Sequence, residues 1–80
     1  MTDPHHLREQ LADIQHAIWA HWMRYLFSVC EAQEDGSYRI PAEKAARWQR
    51  QMNTPYTELS DKEKDSDREQ ADKIIPLIRL

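Results

Sequence analysis

The chain is short of several things at once: it has one glycine and one cysteine in 80 residues, no excess of basic residues, and no apolar run of membrane-spanning length. A lone Cys30 cannot close an intramolecular disulfide. Its place in an apolar stretch reads as a buried thiol in a reducing compartment, so a cytoplasmic protein is expected. The net charge of -3 argues against a protein that coats a nucleic acid polymer, which requires surplus Lys and Arg against phosphate. The apolar stretch from Ala17 to Cys30 is interrupted by Arg24 and is shorter than the roughly 20 residues a membrane helix needs. The first residues, Met-Thr-Asp-Pro-His-His, show no basic segment followed by an apolar run, so no secretory signal is expected.

What the chain does have is concentrated between His16 and Cys30, which holds two of the three tryptophans, the only phenylalanine and the only cysteine. At helical spacing Leu7, Leu11, Ile14, Ile18, Trp22, Tyr25 and Val29 form one apolar stripe. Ala12, Trp19, Met23, Leu26 and Cys30 form a second. A helix apolar on most of its circumference must be covered from several sides. A chain of this size buries only about 60% of its unfolded surface, so a homo-oligomer is expected.

The expected fold is all-α, a single small domain over residues 1–80 with three helices and a long aromatic-rich first one. Thr2 or Asp3 is the expected N-cap and Pro4 the first helical residue, with the helix running to about Gln33. Glu34-Asp35-Gly36-Ser37 marks a reversal, because glycine reaches positive φ readily. Tyr38-Arg39-Ile40 reads as a short extended connector, and Pro41 opens a second helix through Met52. Ala45, Trp48 and Met52 share the face expected to pack on the first helix. Asn53-Thr54-Pro55 ends the second helix, since the residue before a proline leaves the helical region. Ser60-Asp61-Lys62-Glu63 is a capping box that starts the third helix, and Pro76 is expected to kink or end it near Ile75.

Candidate chemistry is sparse. His21 lies nine residues from Cys30, and no Ser/His/acid constellation assembles, so catalysis is not expected. Asp13 with His16, or His5 with His6, supplies at most two metal ligands, and no second motif completes a site, so neither a metal nor a cofactor is expected. Lys44, Arg47 and Arg50, spaced by three, make the most basic line, with only Glu43 nearby to oppose it. That line is either a solvated face or an anion contact. The segment Glu58–Lys73 carries seven acids against four bases, which repels a nucleic acid backbone.

The order Pro55-Tyr56-x-x-Leu59-x-x-x-Glu63-Lys64-x-x-Asp67-Arg68 resembles the closing motif of the ryanodine receptor repeat, a small helical module also found in bacterial and phage proteins. His16-Ala17-Ile18-Trp19-Ala20 resembles that family's other landmark, a histidine followed three residues later by Trp-Ala, and the two come in the family's order. The family's Gly-Trp-x-Tyr-Gly turn is replaced here by Met23-Arg24-Tyr25-Leu26-Phe27, so contacts made from that turn do not carry over. The resemblance implies a non-enzymatic module, here a phage or prophage accessory protein. Its expected role is to sense or sequester a nucleotide-derived signal, as in anti-phage defence signalling. Trp19, Tyr56 or Trp48 would then stack on a base, and Arg68, Lys64 and Arg47 or Arg50 would meet phosphate. His16 is either a ligand contact or a hydrogen-bonded core histidine. The alternative is a protein-interaction or self-assembly module with no small ligand, in which Trp22, Tyr25 and Val29 form the interface.

Overall fold

The structure, a computed structural model, describes residues 3–78. The first helix, α1, spans Pro4–Val29, or about 39 Å at 1.5 Å per residue. Asp3 is its N-cap, and the carboxylate accepts the His5 backbone N–H at 3.1 Å; Pro4 follows where its missing donor costs nothing. Thr2, the other expected cap, lies outside the described residues.

α1 stops at Val29, four residues before the expected end, because residues 31–39 close a hairpin instead of continuing the helix. β1 (Glu31–Ala32) pairs antiparallel with β2 (Tyr38–Arg39), Glu31 opposite Arg39 and Ala32 opposite Tyr38. Gln33 N–H donates to the Ser37 carbonyl at 2.8 Å, and Gly36 turns the chain at φ +88°. The Asp35 carboxylate accepts both the N–H and the hydroxyl of Ser37, which holds its pKa below the ordinary 3.8.

The second helix, α2 (Ala42–Met52), is opened by the Pro41 carbonyl, which accepts the N–H groups of Lys44 and Ala45 at 3.0 Å. Thr54 Oγ1 and Asn53 Nδ2 close it by donating to the carbonyls of Arg50 and Gln49. A 3-10 turn over Tyr56–Glu58 leads to α3 (Asp61–Ala71), where both halves of the capping box form. Ser60 Oγ accepts the Glu63 N–H, and Glu63 Oε1 accepts the Ser60 N–H, each at 3.2 Å. α3 ends at Ala71, earlier than Pro76 alone requires. A short fourth helix, α4 (Ile75–Ile78), follows, with Pro76 in its first turn, where no backbone donor is needed. Among the described residues the chain is all-α in class, with the three expected helices in place, a fourth added, and one two-residue strand pair.

Packing between these elements is thin. Among the described residues no apolar side chain is fully buried, and the one buried residue is Gln70, 6% exposed, whose Oε1 has no partner. The Cα radius of gyration is 16.3 Å, against about 12 Å for a compact chain of this length. The accessible surface is 6842 Å², against about 5,100 Å² for a folded monomer of 9.6 kDa. Met52, expected to pack on α1, is 77% exposed, because the last turn of α2 runs past its contact with that helix; Ala45 and Trp48 are half-buried. Among the described residues, no helix is long and apolar enough to cross a membrane.

Candidate functional site

The side chains singled out by the sequence fall into three groups, each positioned by a different pair of elements. The first joins α1 to α2. Trp22, Tyr25 and Trp48 form a chain of edge-on rings, with centroids 6.3 Å apart at both steps. Arg47 Nη2 donates to Tyr25 Oη at 3.1 Å, so one turn of α2 supplies both a ring and a cation to the same tyrosine. Trp22, Tyr25 and Val29 are half-buried, and Tyr25 is engaged within its own chain.

Beside this contact, Glu43, Lys44, Ala46, Arg47 and Arg50 line an open groove of about 500 Å³. The basic line is therefore a lined surface, although no aromatic ring faces it. Glu63 lies close enough that the charges of Arg50 and Arg47 help hold its carboxyl below the ordinary 4.5; the Ser60 hydroxyl is the larger cause and the Ser60 backbone N–H the next. Arg50 and Arg47 of α2 thus lie near the start of α3.

The second group lies on the 3-10 turn and α3. Lys64 Nζ sits 5.7 Å from the centroid of the Tyr56 ring, within cation–π range. Arg68 Nη1 pairs with Asp65 Oδ1 at 2.8 Å, and that bond, followed by the effect of Tyr56, pushes the guanidinium further towards the charged form. Both side chains of the Arg68–Asp65 pair are more than half exposed. Lys64, Arg68 and Tyr56 therefore occupy one neighbourhood.

The third group lies on the middle of α1. His16 stacks on Trp19, with centroids 5.8 Å apart and planes inclined by 27°, and both residues are exposed, so His16 is not a core histidine. Among the described residues no ring contact joins Trp19 to Tyr56 or to Trp48. A second groove of about 470 Å³ places Asp13, His16, His21 and Arg24 beside Lys73 from the turn after α3. Spacing puts Asp13 and His16 on one face but turns His21 about 140° away from His16; the approach of Lys73, a tertiary contact, had no local signal. Among the described residues no three His, Cys, Asp or Glu side chains converge as a metal-holding group.

The candidate base-stacking and phosphate-binding residues are thus divided among three regions of one copy. Trp19 is on α1, the cationic groove is on α2 with its Arg47 engaged by Tyr25, and Tyr56 has Lys64 over its ring beside α3. Compared with protein-family models, curated proteins and solved structures, the chain matches none.

Proposed function

We propose that the chain is a non-enzymatic interaction module that completes its fold by associating with copies of itself in the cytoplasm. The observation that carries this reading is the surface. The chain exposes about 1,700 Å² more than a folded monomer of its mass, with no apolar side chain fully buried among the described residues. A standard interface removes about 800 Å² from each partner, and obligate ones remove more, so the surplus is of the size that association covers. The order of the two landmarks, His16 to Ala20 and Pro55 to Arg68, supports placing the module near the ryanodine receptor repeats.

The test is thermal unfolding at several protein concentrations. If folding and association are one step, tenfold more protein adds about 1.4 kcal/mol per dimer and raises the midpoint. A midpoint independent of concentration counts against the reading.

The groove on α2 favours a second reading, in which the module senses or sequesters a nucleotide-derived signal for a phage or prophage. Lys44, Arg47 and Arg50 offer three cations on one surface, opposed by Glu43 alone within the groove. Calorimetric titration with adenine nucleotides and cyclic oligonucleotides tests it, repeated on Arg47→Ala with Arg50→Ala and on Arg68→Ala. Binding lost in the α2 double variant places the phosphate there. No heat from any phosphate ligand ends this reading.

A further inference from the structure

The two oxygens of the Glu63 carboxylate are used unequally. Oε1 does all the capping, accepting the Ser60 N–H at 3.2 Å and the Ser60 hydroxyl at 2.9 Å. Oε2 is closed from solvent and has no hydrogen-bond partner. A capping box needs one acceptor oxygen at this position, which a glutamine supplies as well as a glutamate. The negative charge and the second oxygen are therefore surplus to the start of α3, and a buried acceptor left unpaired carries a cost.

The charge of Arg50 and, less, that of Arg47 reach this carboxyl, after the larger effect of Ser60. Arg47 is committed elsewhere, donating to Tyr25 Oη at 3.1 Å. Among the described residues no hydrogen bond or ion pair holds the Arg50 guanidinium, and none of the ion pairs includes Glu63. Arg50 also lines the α2 groove together with Lys44 and Arg47. One uncommitted guanidinium thus has two places to meet negative charge, the unpaired oxygen of Glu63 and the groove. A guanidinium fork engages carboxylate and phosphate by the same two-pronged geometry, so each place draws it from the other.

We infer that Glu63 is a built-in competitor for the α2 groove, drawing Arg50 to its own carboxylate when the groove is empty and yielding it to a phosphate group that enters. This inference rests on the phosphate-binding reading of that groove given above and adds what sets its affinity. A carboxylate guest offers Arg50 no more than Glu63 already does. A phosphate monoester, with about 1.5 to 2 negative charges at neutral pH and three acceptor oxygens, engages Arg50 and Lys44 together. The resident acid thereby makes the groove selective for phosphate groups over carboxylates.

Glu63→Gln keeps the capping box and removes the charge, so its helical signal should equal that of the wild type; a lost signal overturns the claim that the charge is surplus. The test is calorimetric titration of pyrophosphate into the full chain near neutral pH and at constant ionic strength, for the wild type, Glu63→Gln and Glu69→Gln. Glu69 is an exposed acid on α3, about 120° around the helix from Glu63. Glu63→Gln is expected to bind at least about threefold more tightly than the wild type, and Glu69→Gln to match the wild type. The gain from Glu63→Gln is expected to vanish in an Arg50→Ala background, because the two side chains act through one guanidinium. Malonate, a dicarboxylate, should bind the wild type more weakly than pyrophosphate.

No heat from pyrophosphate in either the wild type or Glu63→Gln overturns this inference together with the phosphate reading. Equal binding by those two proteins, a gain shared by Glu69→Gln, or a gain that persists without Arg50 leaves the phosphate reading standing and overturns the competition. Malonate held as tightly as pyrophosphate overturns the selectivity.

Discussion

Replacing Ser60 by alanine removes the hydroxyl that accepts the Glu63 N–H and, with it, the anchor that holds the Glu63 carboxylate over the Ser60 N–H. α3 is 11 residues long, with a polar surface over its first three turns, so it has little apolar burial to compensate for a frayed start. Loss of an N-cap of this type costs about 1 kcal/mol, and Ser60→Gly costs only a few tenths. For a chain of this size, about 1 kcal/mol lowers the melting midpoint by roughly 4–8 °C. The assay is thermal unfolding followed by circular dichroism at 222 nm, at fixed protein concentration because the proposed association would enter the equilibrium. Combining Ser60→Ala with Glu63→Ala should cost less than the two single changes added together, since the two side chains serve one reciprocal pair. An alanine variant that melts with the wild type, or a double variant that is strictly additive, would refute the capping argument.

Four further outcomes follow from the same structure. Gly36→Ala should cost about 1 kcal/mol through its φ of +88° alone, because nothing lies within 4 Å of an added Cβ; chemical denaturation reads this, and an unchanged midpoint contradicts it. Gln70→Met removes a buried amide whose oxygen lacks a donor, so it should be neutral or stabilising, and a loss above about 1 kcal/mol contradicts the assignment. Asp35 and Glu63 both have folded pKa values depressed below their ordinary 3.8 and 4.5. Their contribution is therefore fully present above those ordinary values and is lost as the pH falls through the lower folded ones; Ser37→Ala should flatten the Asp35 part of that acid-side decline. Trp48→Ala should destabilise the chain more than Tyr25→Phe, because the first removes a ring from the α1–α2 contact and the second only the hydroxyl that Arg47 meets at 3.1 Å.

Features set by one or two neighbouring residues were legible in the sequence. Asp3-Pro4, Gly36, Pro41, Pro55 and the Ser60–Glu63 box act through backbone angles and unpaired N–H groups that the residues themselves determine, and each appears where the sequence places it. The end of α1 was not legible. Glu31-Ala32-Gln33 has helix-compatible composition, and only the pairing of Glu31–Ala32 with Tyr38–Arg39 across Gly36 withdraws it from the helix. The exposure of Met52 was hidden for a related reason. Periodicity gives the face on which a residue lies and not whether a neighbouring element reaches that far along it. For the candidate site, the basic line on α2 and the shared face of Lys64 and Arg68 could be read from spacing, whereas their approach to Tyr56 from the 3-10 turn could not. The engagement of Tyr25 with Trp48 and Arg47, and the approach of Lys73 to His16 and Arg24, depend on contacts between distant parts of the chain.

On the self-association proposed above, one copy of this chain is an incomplete fold. Sedimentation equilibrium over a hundredfold dilution measures it most directly. The predicted result is a mass of twice 9.6 kDa at the higher concentrations, with helical signal lost as the pair dissociates. A species of 9.6 kDa that keeps its full helical signal at every dilution would contradict it.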